Sequence, residues 1–360
     1  MSHRPARFAH GLFALALFSA FVLAALPAAA DAEEHRSFDS KELTIRNLIG
    51  AVKVSGHAGS KFEVTIRVQG KDSTTPGVDI DAGSSELTIK FPEASKYVYP
   101  ALGPGSRSTF GPDGDDGGWL SALLGTGRVT VVGNGSGVEI WADLDVKVPQ
   151  GATLHVHQGV GAIEATNAKG EIDLHVRSGH VEARQVTGEL SIDTGSGHVS
   201  VSDVDGKLLV DTGSGHVEVS DVRGPSVSID TGSGHVEIED TETDRLLVDT
   251  GSGHVKARRV SADAADIDTG SGGVTLELAR MGSGAFKIDT GSGGIDLSVP
   301  RGASMAVDAE TGSGGVDVDL GDDIEVVRME RDEAEFRLGS GAARVTMSTG
   351  SGGIQIRYSS

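Results

Sequence analysis

Apolar and polar residues alternate along most of the chain, and short clusters of glycine and serine interrupt the alternation at regular intervals. In residues 226–239, Val227 and Ile229 precede a Gly-Ser-Gly cluster, and Val236 and Ile238 follow it. Alternation with a period of two is typical of a β-strand that buries one face. The pattern therefore predicts two short strands joined by a bend, where glycine adopts backbone conformations that other residues avoid.

One cluster, Thr-Gly-Ser-Gly, defines a repeat. Successive copies are 18, 19, 19, 19, 21, 21 and 38 residues apart, and they begin at Thr194, Thr212, Thr231, Thr250, Thr269, Thr290, Thr311 and Thr349. A persistent spacing of this kind is typical of repeat proteins. One repeat is too short to bury its own apolar face, whereas rungs stacked ~4.7–4.9 Å apart pair every strand with its neighbours. The sequence therefore predicts an all-β fold, a single-chain β-solenoid with rungs of about 18–21 residues.

The repeat divides the chain into a leader at residues 1–30, irregular N-terminal β rungs at 31–137 and a regular solenoid at 138–360. Residues 95–127 break the alternation and hold several aromatic residues, including Trp119, in a chain that has few. We predict an inserted loop here, which either packs its aromatic side chains over the solenoid or serves as a binding loop.

The C-terminal part of the chain carries one further insertion. Residues 321–337 are rich in charge and are predicted to form a longer hairpin, after which residues 350–358 form the final rung. The end of a solenoid needs a cap, and Phe336 and Tyr358 are the candidates.

Residues 1–30 have the parts of a secretory signal peptide: Arg4 and Arg7, an apolar run of 15 residues, and a Pro-Ala-Ala-Ala cleavage site. A membrane-spanning helix needs about 20 apolar residues, and no later stretch is long enough. The chain has no cysteine, which excludes disulfides and a lipid-modified cysteine. We expect a periplasmic or extracellular bacterial protein without a transmembrane segment after signal cleavage.

The charge of the chain narrows the choice of partners. The net charge is −21, and signal cleavage leaves 29 basic against 52 acidic residues, a net charge of −23. Such a chain repels nucleic acids and anionic membranes. We expect instead a protein or glycan of the cell envelope, bound along the flat sides of the solenoid.

An aspartate precedes the glycine cluster in six repeats. These residues are Asp193, Asp211, Asp230, Asp249, Asp268 and Asp289. We predict that they cap the turns by accepting hydrogen bonds from backbone N–H groups. Asp-Thr-Gly-Ser also occurs in aspartic proteases, but those enzymes need two facing copies whose carboxylates share a proton. A column of carboxylates is also a candidate Ca²⁺ site.

A histidine follows the glycine cluster in five repeats, and these residues form a second column. They are His180, His198, His216, His235 and His254. One interpretation is a ladder of stacked rings without a ligand. The other is a Zn²⁺ site, completed by Glu218 or Glu237. Repulsion between crowded rings would lower their pKa values, and the column would then sense pH.

The signal peptide, the Val-Pro-x-Gly segment at 148–151 and the successive Gly-Ser-Gly-His-Val-Glu rungs resemble a bacterial family of unknown function. Its members are labelled "putative adhesin" or "β-strand repeat-containing". The resemblance covers most of the mature chain, and it implies an envelope-associated, right-handed β-helix. It brings no catalytic residues.

Three hypotheses follow for function. The first is a non-enzymatic cell-envelope solenoid that acts as a scaffold or adhesin-like binding surface and has no cofactor. The second is an envelope stress module in which the histidine column binds metal or senses pH. The third is a β-helical enzyme that acts on polysaccharide, which would need carboxylates grouped in a cleft.

Overall fold

Parallel strands that repeat every 18 or 19 residues form the body of the molecule. The computed structural model describes residues 32–74, 78–111, 119 and 127–359. Each paired residue of the strand Val181–Ser196 lies opposite the residue 18 positions later in Val199–Ser214. The spacing becomes 19 at the next rung, where residues 224–226 accommodate one extra residue. These stacked rungs confirm the predicted β-solenoid.

The strands fall into three groups along the chain. The N-terminal group is β1 (Ala32–Phe38), β2 (Glu42–Ile49), β3 (Val52–His57), β4 (Phe62–Gln69), β5 (Asp79–Ala82), β6 (Glu86–Lys90), β7 (Lys96–Val98), β8 (Arg107–Phe110) and β9 (Val129–Val132). The central group is β10 (Trp141–Pro149), β11 (Ala152–Val160), β12 (Ile163–Thr166), β13 (Lys169–Ser178), β14 (Val181–Ser196), β15 (Val199–Ser214), β16 (Val217–Ser233), β17 (Val236–Glu239), β18 (Glu242–Ser252), β19 (Val255–Thr269) and β20 (Val274–Met281). The C-terminal group is β21 (Ala285–Thr290), β22 (Ile295–Val299), β23 (Met305–Thr311), β24 (Val316–Asp319), β25 (Ile324–Met329), β26 (Glu333–Leu338), β27 (Ala343–Thr349) and β28 (Ile354–Tyr358).

Two short 3₁₀ helices, Pro100–Leu102 and Gly321–Asp323, accompany the strands. Within the described ranges, none of the helices has the length and apolar character needed to cross a membrane.

The interior is a set of aliphatic columns, because every second residue of each strand points inward. One column contains Ile192, Val210, Ile229, Val248, Ile267 and Ile288, all at most 2% exposed. Burial of each such side chain contributes roughly 1.5–3 kcal/mol. The residues between them lie on the outer faces, so the in-and-out register expected from the alternation is the one observed.

The N-terminal rung consists of β2 and β3, and it lies beside β11 and β12. On its other side, β6 pairs with β2 and β10 pairs with β3, both parallel. Antiparallel strands then cover this end: β5 pairs with β6, β4 with β10 and β1 with β4.

The segment predicted as an inserted loop carries part of a small mixed sheet. In this sheet β7 is parallel to β9, and β8 is antiparallel to it. Tyr97, Tyr99 and Phe110 pack with Leu48 and other apolar residues of the first rungs in a second core. These aromatic side chains of the inserted segment are therefore buried against the solenoid. Trp119 is the one described residue between 112 and 126.

The last rung in the sequence is not the last rung in space. β27 lies between β21 and β23, and β28 lies between β22 and β24. The predicted hairpin forms from β25 and β26, and β26 pairs antiparallel with β23 at the end of the stack. Phe336 is buried on β26, whereas Tyr358 ends the intercalated rung and is only partly buried.

Candidate functional site: the histidine and aspartate columns

The histidine column runs along the outer side of the solenoid at one turn. Each histidine is followed by a valine that is at most 1% exposed, so the histidine itself faces outward. The rings stack in two groups. Ring centroids are 5.1 Å apart for His180 and His198, 5.4 Å for His198 and His216, and 5.5 Å for His235 and His254, with interplanar angles of 6–13°.

The ladder is broken between His216 and His235. Their centroids are 6.2 Å apart and their planes lie at 73°. Beyond the break, the backbone N–H of His254 donates to Nδ1 of His235 at 3.2 Å, and that of Gly273 donates to Nδ1 of His254 at 3.0 Å. A neutral ring that accepts at Nδ1 carries its hydrogen on Nε2.

Before the break, the rings approach a carboxylate instead. Nε2 of His216 lies 3.1 Å from Oε1 of Glu218, and Nε2 of His198 lies 3.7 Å from Oε2 of the same residue. Glu237 lies beside Glu218 on the next rung and forms an ion pair with Lys256 at 2.5 Å. His216, Glu218 and Glu237 each offer one ligand atom, and these atoms all lie within 4.8 Å of one another.

Charge and burial act together on the column. The pKa of His198 lies below its ordinary value, because burial disfavours the charged ring. Glu218 opposes this effect, while His180 and His216 add to it. Burial, rather than the crowding expected from the sequence, is therefore the main cause. The ion pair with Lys256 holds the pKa of Glu237 below its usual value.

The aspartate column lies on a different outer face, and each aspartate immediately precedes an inward-facing threonine. Asp193 pairs in register with Asp211, and Asp211 with Asp230. Burial and then the neighbouring aspartates raise the pKa of Asp211, and the same two causes raise that of Asp268. The carboxylates form a line rather than converging, and the group of metal-ligating atoms found within the described part of the chain includes none of them.

The turn-capping role of the six aspartates stays a prediction, and the side-chain hydrogen bonds found at these turns involve the threonines. Where a side chain caps the turn, the cap is the threonine hydroxyl: Thr269 Oγ1 accepts from the N–H of Gly272 at 3.0 Å and donates to the carbonyl of Gly253. The same pair of bonds recurs at Thr290, Thr311 and Thr349. Strand alternation points the aspartate outward and the threonine toward the turn.

Turns that carry histidine use a different arrangement. There the glycine N–H donates to the serine carbonyl of the next rung, as in Gly197 to Ser214 and Gly215 to Ser233. The buried hydroxyls of Thr194, Thr212, Thr231 and Thr250 then have no hydrogen-bond partner. The residue after Gly-Ser-Gly thus separates two classes of turn.

A second histidine cluster was not predicted from the sequence. His157 and His175 lie in adjacent rungs, in register with Asp193. The Trp119 ring lies over both, with centroids 5.7 Å from His157 and 6.4 Å from His175. Burial lowers the pKa of His157 to about 4, and the charge of His175 adds to the effect. The signal was present, since these histidines are 18 residues apart, one rung.

Stacked parallel rungs that expose ladders of like side chains define a β-solenoid repeat protein. The family model described as Toastrack DUF4097 matches residues 39–357. The chain therefore belongs to this family of unknown function, which confirms the resemblance drawn from the repeat motifs.

Three solved structures are similar to the chain at low identity. A putative lipid binding protein from Parabacteroides distasonis has 11% identity and a TM-score of 0.40, with 89% of this chain and 96% of that chain covered. A putative adhesin from Bacteroides fragilis has 11% identity and a TM-score of 0.37, with coverage of 90% and 96%. A putative cell adhesion protein from Clostridium sporogenes has 12% identity and a TM-score of 0.20, with coverage of 91% and 100%. No curated protein matches the chain.

Proposed function

We propose that the protein is a non-enzymatic scaffold of the cell envelope that binds a protein or glycan along one flat face. The observation that carries this proposal is the repetition of outward side chains at rung spacing. Leu209, Ser228 and Leu247 lie side by side in three successive rungs, two residues before the aspartate column. We call the surface formed by these three residues and the aspartate column the aspartate face. It combines half-buried aliphatic side chains with a line of carboxylates, which suits a long contact with one extended partner.

The enzyme hypothesis has less support. Six carboxylates in line on a flat face do not form the facing pair that acid–base catalysis on glycans requires. A pocket of about 340 Å³ near the N-terminal end has Glu63 and Asp145 in its lining. Asp145 is paired there with Arg67 at 2.5 Å, so it is held in a structural contact.

The proposed location is the periplasm or the exterior of the cell. Its support is the predicted signal peptide at residues 1–30, which lies outside the described residues. A fusion of this leader to a reporter enzyme that is active only after export tests the location. Export that persists without residues 1–30 would contradict it.

Site-specific photo-crosslinking in intact host cells tests the scaffold function. A benzophenone amino acid at Ser228 samples the aspartate face, and the same substitution at Ser220 is the matched control on another face. We expect adducts from position 228 only, with either a protein or cell-wall glycan. Equal labelling from both positions, or hydrolysis of cell-wall polysaccharide by the purified mature chain, would contradict the proposal.

A further inference from the structure

The geometry points to a Zn²⁺ site formed by His198, His216, Glu218 and Glu237 on the outer side of the solenoid. This site is separate from the aspartate face and goes beyond the scaffold function proposed above. It uses two of the five column histidines and the two carboxylates that face them.

The distances suit a small tetrahedral cation. Zn²⁺ binds histidine nitrogen and carboxylate oxygen at ~2.0–2.2 Å, which places two ligand atoms about 3.3 Å apart in a tetrahedron. Nε2 of His216 and Oε1 of Glu218 are 3.1 Å apart, and Nε2 of His198 is 3.7 Å from the other oxygen of Glu218. The ligand atoms of His216, Glu218 and Glu237 all lie within 4.8 Å of one another, and His198 borders this group through its contact with Glu218.

The break in the ring stack provides an independent argument. Stacking is regular on both sides, and it fails only between His216 and His235. Glu218 and Glu237 follow these two histidines by two residues each, and they pair in register on the same two rungs. The His216 ring therefore does not stack on His235, and its Nε2 lies beside the carboxylate of Glu218 instead.

The other three histidines are less suited to bind the ion. His235 and His254 accept backbone hydrogen bonds at Nδ1. Metal binding at Nε2 would require their ring hydrogen to move to Nδ1, which would break these bonds. The carboxylate nearest His180 in sequence, Glu182, is paired with Arg184. Of the five histidines considered from the sequence, His198 and His216 are therefore the proposed ligands.

Lys256 supplies the sharpest test, because it competes for a proposed ligand. Its Nζ lies 2.5 Å from Oε1 of Glu237, so the ammonium group competes with zinc for this carboxylate and repels the cation. Removal of the lysine charge should therefore tighten zinc binding. A ladder that only fills the turn predicts no such gain.

The experiment titrates the mature chain with Zn²⁺ against a competing chelator and records the optical spectrum with Co²⁺. We expect one ion per chain and the strong visible absorption of tetrahedral Co²⁺. His216→Gln and Glu237→Gln should each weaken zinc binding by about tenfold or more, and Lys256→Gln should strengthen it. His254→Gln is the matched control, and it should bind like the parent chain.

Circular dichroism verifies that each variant is folded before titration. Failure of the parent chain to bind zinc, or equal affinities across all four variants, would overturn the proposal. Weaker binding in His254→Gln of the same size as in His216→Gln would also overturn it, because the whole column would then act without a defined centre.

Discussion

Histidine has two distinct environments in this protein, and the neighbouring side chains determine which applies. The ring of His216 is on the outer surface beside carboxylates, where it remains available to a ligand. The ring of His157 lies under Trp119, and its Nδ1 is buried without a hydrogen-bond partner. The same residue type is thus a candidate ligand at one place and part of a buried aromatic contact at another.

The burial of His157 predicts a pH-dependent stability. Its folded pKa of about 4 lies below the unfolded value of about 6.5. Its contribution is therefore intact above pH 6.5 and is lost as pH falls toward 4. His175, His155 and Arg46 lower the pKa, and Asp173 raises it.

Thermal unfolding of the parent chain and His157→Gln at pH 7 and pH 5 measures this contribution. We expect the parent chain to lose about 2 kcal/mol more than the variant over this interval. An equal loss in both proteins would show that His157 is not protected from protonation.

Gly272 and Gly273 are adjacent in the sequence, but a neighbouring rung lies much closer to Gly272 than to Gly273. A Cβ on Gly272 would lie 1.5 Å from the carbonyl oxygen of Gly253, whereas a Cβ on Gly273 would lie 3.3 Å from its nearest neighbours. We expect Gly272→Ala to cost about 1–3 kcal/mol or more, because the rungs must separate. The control Gly273→Ala should cost less than about 1 kcal/mol. Chemical denaturation measures both, and similar losses would contradict the stated rung contact.

Strand register is set at the level of the element, because a shift of one residue exchanges the buried and exposed faces. Ile229 is 1% exposed, while Ser228 lies between two leucines on the outer face. Ile229→Asn leaves a buried amide without partners and a cavity, so we expect a loss of about 3 kcal/mol or more. The control Ser228→Asn should be within about 1 kcal/mol of the parent chain. Equal melting temperatures would show that the register is wrong.

The solenoid, its period and the inward columns could be predicted from the sequence because they depend on local alternation and on spacing. The break between His216 and His235 could not, since it depends on side-chain contacts with carboxylates two residues and one rung away. The role of the threonines was also not predicted. The residue after Gly-Ser-Gly distinguishes the two turn types in the sequence, but the hydrogen bonds of each type form between neighbouring rungs and are not visible in the repeat itself.

At the scale of the whole molecule, the order of rungs in space departs from their order in the chain. Thr-Gly-Ser-Gly is nearly identical in every copy, so the sequence does not distinguish a terminal rung from an intercalated one. The interval of 38 residues before Thr349 fits either order. In the structure, Ser348 lies between Asp289 and Glu310, which separates two rungs that are consecutive in the sequence.

Engineered disulfides distinguish the two orders, and the chain has no native cysteine to interfere. Asp289→Cys with Ser348→Cys joins adjacent strands, whose Cα atoms at about 4.8 Å are within the range of a disulfide. Asp289→Cys with Glu310→Cys spans two rungs, about 9.6 Å, which is beyond that range. We therefore expect the first pair to oxidise within the chain and the second to remain reduced, as measured by peptide mapping without reductant. Stacking in chain order predicts a disulfide in the second pair, so its formation would show that β27 and β28 lie at the end of the solenoid rather than within it.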